Sequence, residues 1–217
     1  MKKLIYNKVD KAMVSALKKV EFYGRIIVVD TQSGAQKAVD YLLSQPILGF
    51  DTETRPAFEK GKHYRCALLQ VSTSTECFLF RLNKIGLCPA VVRLLSDTMV
   101  TKVGLAWNND MLSLRELGSF KAGHFIDLQQ MVRDLGIEDQ SLVKIYANLF
   151  GERISKAERL SNWERSELKE SQKEYAAIDA WACVRMYNEV NRLLATRDYE
   201  LVIQPSENIS NDETSLS

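Results

Sequence analysis

ILGFDTETRPAFEKGKHYRCALLQVSTSTECFLFRL, residues 47–82, decides the fold. Pro46 stops the helical pattern before it, and the apolar run ILGF then reads as a buried central strand. Two further strand-like runs, ALLQVST at 67–73 and ECFLFRL at 76–82, flank a turn at Ser74 and Thr75. Together the three predict an antiparallel meander.

Upstream, residues 10–20 predict a short amphipathic helix, and Gly24 opens the β-branched run RIIVV, a first strand ending at Asp30. Ser33 is placed to cap the next helix, whose Ala35, Ala38, Val39, Leu42 and Leu43 recur at helical spacing. Downstream come a helix at PAVVRLLSD, an apolar strand at KVGLAW, and helices at NNDMLSLREL, FIDLQQMVRDL, SLVKIYANLF and after Ser166. The order is a sheet first, then helices. The end, QPSENISNDETSLS, is polar and aperiodic, so one domain over residues 1–203 and a disordered tail over 204–217 are expected.

Composition narrows the function classes. With 217 residues, 46% hydrophobic and 26% charged, the chain suits one soluble domain with a sizeable core. A net charge of +1 is too small for a protein that coats DNA, so any nucleic-acid contact rests on a local basic patch. MKKLIYNKVDKAM has no continuous apolar stretch, which argues against a signal peptide or membrane span, and the cysteines form no CxxC pair. An intracellular, cytoplasmic protein with free thiols and no membrane contact is expected. Zinc at His63, Cys66, Cys77 and Cys88 is disfavoured, because cysteine gaps of eleven lack paired-ligand spacing. Neither GxGxxG nor GxxxxGK occurs, which disfavours a nucleotide-binding oxidoreductase or kinase.

The chemistry is carried by carboxylates. Asp51 and Glu53, at i and i+2 after ILGF, point to one face of the sheet if the strand continues. A divalent cation makes such a pair tolerable; a solvated strand end is the alternative. Asp110 follows KVGLAW near the first turn of a helix, a position that also suits a plain cap. Late in the chain, Tyr175, Ile178, Ala182, Met186, Val190 and Leu193 form a core-facing helical stripe with Asp179 inside it. A carboxylate there costs several kcal/mol, as an order of magnitude, unless a charge or hydrogen bonds meet it. Tyr175, one turn earlier, can lie beside it.

DTE, a lone Asp at a strand-to-helix junction and YAAID in a late helix together resemble the DEDD exonuclease superfamily. Within it they resemble the tyrosine-containing DEDDy branch of RNase D and the Werner-syndrome exonuclease domain. The likeness extends from GRIIVVDTQ to LSNWERSELKESQKEYAAIDAWA. It implies an α/β, ribonuclease H-like fold: a mixed central β-sheet flanked by α-helices. It also implies a 3′-to-5′ exonuclease acting on DNA or RNA and releasing nucleoside 5′-monophosphates. By position, Asp51, Glu53, Asp110 and Asp179 would hold two divalent cations, Mg²⁺ or Mn²⁺, and Tyr175 would orient the attacking water, the two-metal route.

Thr52, between the first two carboxylates, is expected beside the terminal nucleotide, with Asn109 as a weaker candidate. The loop after the first motif supplies Arg55, Lys60, Lys62, His63 and Arg65, with Phe58 and Tyr64 for stacking. Lys156 and Arg159 form a second basic spot for phosphates, and Trp163 is expected to pack rather than to bind a base. The expected partner is single-stranded or 3′-recessed nucleic acid, held with low affinity and processivity unless an oligomer or protein partner supplies more surface. The alternative is a catalytically silent nucleic-acid-binding protein retaining the fold.

Overall fold

The computed structural model describes residues 2–204; Met1 and residues 205–217, which hold nearly all of the expected tail, lie outside the described residues. Sixteen elements follow in order: β1 (Lys3–Tyr6), α1 (Lys11–Ala16), β2 (Arg25–Val29), α2 (Gln32–Leu42), β3 (Ile47–Thr54), β4 (Cys66–Ser72), β5 (Glu76–Phe80) and α3 (Leu82–Ile85). Then come α4 (Pro89–Ser96), β6 (Thr101–Gly104), α5 (Asn108–Arg115), β7 (Phe125–Asp127), α6 (Leu128–Arg133), α7 (Leu142–Phe150), α8 (Glu170–Thr196) and β8 (Tyr199–Val202).

Six strands form the main sheet in the order β2-β5-β4-β3-β6-β7. The expected meander is present, with β3 antiparallel to β4 and β4 antiparallel to β5. On either side of it the pairing turns parallel, β2 with β5, β3 with β6 and β6 with β7. Alternation along β3 decides which face each residue serves. Leu48 and Phe50 join the core under α2 and α4, while Gly49 presses on α8.

Several boundaries differ from the expectations. Thr31, not Ser33, caps α2, its hydroxyl accepting from the Gly34 N–H. Helix α1 is confined to six residues, none of them buried. FID is strand β7 rather than the start of a helix, because Phe125–Asp127 pair with Lys102–Gly104. Unanticipated altogether is a second sheet, in which β1 and β8 run parallel with Lys3 opposite Tyr199 and Tyr6 opposite Val202. The Asn148 side chain closes the other edge of β1, accepting from the Tyr6 N–H at 2.9 Å and donating to its carbonyl at 2.6 Å.

Helix α8 runs across the sheet as the longest element, and Ile178, Ala182, Met186, Val190 and Leu193 are buried as its stripe predicts. Its first turn is fixed by Gln172, fully buried, which accepts from the Lys169 N–H and donates to Ser161 and to the Asn162 carbonyl. Arg81, also buried, donates to the Arg165 and Ser166 carbonyls and so ties the end of β5 to the segment entering α8. All four cysteines are free and buried. No helix among the described residues is long and apolar enough to cross a membrane.

Candidate active site

Asp51 and Glu53 leave β3 on the face that α8 covers, and Asp179 meets them from α8. One carboxylate oxygen from each of the three lies within 4.8 Å of the others. Glu53 is 9% exposed and Asp179 5%, so the negative charges are drawn together away from solvent. No cation forms a salt bridge with these groups or with Asp110 among the described residues. The positive charge that a buried Asp179 requires is therefore not supplied by a contacting side chain.

Asp110 sits in the first turn of α5, outside that three-residue cluster. Thr52 alternates to the opposite face of β3 and donates its hydroxyl to the Asp110 carboxylate. The hydroxyl expected beside a terminal nucleotide is thus engaged in holding a motif carboxylate. The turn that delivers Asp110 has Ala106 in the left-handed region, φ 54°. Asp127 braces this turn and the start of α6 together, accepting from the Ala106 N–H at 3.1 Å and the Gln129 N–H at 2.9 Å. Sequence reasoning passed over Asp127, although an Asp before a short helix is an N-cap signal.

The other expected contacts divide. Tyr175, Lys156 and Arg159 line one cleft with Asp51 and Asp179, walled by Leu105, Leu142, Val143 and Ile154. Arg55 is half-spent, bonded to Glu164 at 3.4 Å and stacked 4.5 Å from the Tyr64 ring centre. Lys60 and Asn109 are exposed. Trp163 is fully buried with its ring centre 6.0 Å from that of Tyr175, as expected of a packing residue.

Burial and mutual repulsion push these acids toward their protonated forms. Glu53 is raised to about 10, by burial first and then by Asp51, Asp179 and Asp110. Burial lifts Asp179 to about 7, opposed by the Tyr175 hydroxyl, and Asp110 to about 6, opposed by Thr52. Asp51 is also held well above its ordinary value by burial and its acidic neighbours. The folded chain therefore binds more protons than the unfolded one above about pH 4, the ordinary carboxylate value. Stability of the metal-free protein should accordingly fall as pH rises from about 4, through about 6 for Asp110 and about 7 for Asp179 and on toward about 10 for Glu53, and a cation neutralising the cluster should reverse the loss. Melting curves between about pH 5 and 8, with EDTA or Mg²⁺, test this. The gain from Mg²⁺ should grow with pH and flatten in Asp51→Asn; a gain that does not change with pH would contradict it.

An all-oxygen donor set of this charge suits the hard cations Mg²⁺ and Mn²⁺. The mixed sheet and flanking helices define a ribonuclease H-like fold, shared at a TM-score of 0.74 with the Nibbler EXO domain of Aedes aegypti. That match covers 83% of this chain and 95% of that one at 19% identity. Escherichia coli RNase D aligns at a TM-score of 0.67 and 20% identity over 83% of this chain and 52% of its own. The family model described as 3′-5′ exonuclease matches residues 26–195, and the chain belongs to that family, in its DEDDy branch. Among relatives, the mouse bifunctional 3′-5′ exonuclease/ATP-dependent helicase WRN is 28% identical over 169 residues, 75% of this chain and 12% of that protein. The Drosophila melanogaster exonuclease 3′-5′ domain-containing protein 2 is 32% identical over 157 residues, 70% of this chain and 27% of that protein. The chain thus spans only a fraction of the length of these relatives.

Proposed function

We propose that this chain removes nucleotides one at a time from the 3′ end of DNA or RNA by metal-dependent hydrolysis, releasing nucleoside 5′-monophosphates. The convergence of Asp51, Glu53 and Asp179 within 4.8 Å carries the reading, with Asp110 anchored beside them. These four carboxylates would hold two divalent cations, which when bound supply an activated water and stabilise charge on the departing 3′ oxygen.

The remaining steps belong to the chain itself. Burial and the neighbouring carboxylates push the Tyr175 phenol above its ordinary value. A protonated phenol can orient the attacking water by a hydrogen bond but cannot take its proton. Lys156 and Arg159 border the same cleft, form no salt bridge among the described residues, and would take the phosphates of the bound strand. The apolar walls at Leu105, Leu142 and Val143 suit a terminal base or sugar and exclude water.

A gel time course of 5′-labelled single-stranded and 3′-recessed DNA and RNA, with Mg²⁺, Mn²⁺ or EDTA, tests the proposal beside Asp51→Ala. A metal-dependent ladder shortening from the 3′ end and missing in the variant is the expected result. Intact substrate in every lane would favour a silent binding protein. Tyr175→Phe should lower the rate about 10- to 100-fold, since one positioning bond is lost, while Mn²⁺ affinity stays within about twofold. A matching loss of Mn²⁺ binding would show that the tyrosine holds the cluster rather than the water.

A further inference from the structure

The sheet face beneath α8 carries a polar side chain that no hydrogen bond explains. Gln70, in the middle of β4, is fully buried, and neither its carboxamide nitrogen nor its oxygen has a partner among the described residues. Buried amides are almost always paired, and a leucine would serve a plain core better. Its neighbours across the sheet are Leu79 on β5 and Asp51 on β3. Directly opposed residues of an antiparallel pair share a face, with Cβ atoms about 4.5–5.5 Å apart. That face is the one α8 covers, because Asp51 groups there with Asp179, and Leu68, two residues from Gln70, packs with Ala176, Ala177 and Ala180. Asp51 is therefore the polar side chain directly opposite Gln70, with Glu53 one diagonal step along the same face.

We propose that Gln70 is a positioning residue for Asp51: unpaired in the metal-free chain, its carboxamide nitrogen turns to donate to the facing Asp51 carboxylate when the cluster holds a cation. The inference rests on the reading of Asp51 as a metal ligand. A neutral donor fixes the carboxylate rotamer and leaves the second oxygen for the ion; a lysine or arginine in its place would compete with the cation. Gln70 touches neither ion nor substrate in this scheme and acts only through Asp51.

The test is a titration of free Mn²⁺, followed by its paramagnetic resonance, on wild type, Gln70→Met and Gln70→Leu. Without metal the variants lose a buried unpaired amide, so in EDTA they should melt at or above the wild-type temperature. They should nevertheless bind Mn²⁺ about 10- to 100-fold more weakly, and kcat should fall with KM for the nucleic acid unchanged. Mn²⁺ affinity in Gln70→Met within about twofold of wild type overturns the proposal. Should neither variant fold, the Gln70 side-chain amide resonances of the wild type decide: they should shift on saturation with Mg²⁺, and unmoved resonances overturn it. Wild-type protein that binds no Mn²⁺ would instead remove the functional reading, and this inference with it.

Discussion

Asp179→Asn should fold like the wild type and lose turnover by a factor on the order of 10³ or more. The substitution keeps the shape of a 5%-exposed side chain on α8 and removes one charge from the group it forms with Asp51 and Glu53. Metal-free protein then gains stability, since burial and like charge are what raise these carboxyls, and the melting temperature in EDTA should rise. Cation affinity falls because a charged ligand becomes a neutral amide. Opposite movements of stability and activity are the signature of a group kept for chemistry rather than for packing. Wild-type rates from Asp179→Asn would take this residue out of the reaction.

Gly49→Ala is expected to destabilise the fold by about 3 kcal/mol or more. A Cβ at Gly49 would stand 1.9 Å from the Ala180 carbonyl oxygen and 2.9 Å from a Val184 methyl. Neither side can yield cheaply: β3 is bonded to β4 on one edge and β6 on the other, and Ala180 lies mid-helix. The same contact sets the approach of α8 to β3, hence the distance between Asp179 and Asp51. The folded fraction should therefore bind Mn²⁺ poorly as well. Urea denaturation gives the first effect and metal titration the second. A loss under about 1 kcal/mol would mean the helix is free to move off the sheet.

Much of this was legible in the residues, for physical reasons that differ by element. The α8 stripe was readable because its period runs through about five turns from Tyr175 to Leu193, and Asp179 stood out as a charge where the pattern demanded an apolar side chain. The meander announced itself by apolar runs bounded by turn residues. Strand β7 did not, because Phe125, Leu128 and Val132 keep helical spacing and only pairing with β6 draws FID into the sheet. Strands β1 and β8 are four residues each and pair from opposite ends of the chain, a relation no local window contains. Within the site, the spacing of DTE revealed which carboxylates share a face. It could not show that Thr52, on the opposite face, would hold Asp110. Gln70 escaped notice because it interrupts a strand whose every residue is buried.

The small sheet has a mechanical meaning. Strand β8 follows α8 after a single left-handed turn at Arg197, so tension on the chain beyond Val202 would otherwise pass straight into the helix that carries Tyr175 and Asp179. Because β8 runs parallel to β1, a pull between residue 3 and residue 202 slides the two strands along each other and loads their bonds together, in shear. An antiparallel pair pulled the same way would unzip bond by bond. The register from Lys3–Tyr199 to Tyr6–Val202 would thus take a pull along the chain in shear before it reached the helix that carries the carboxylates.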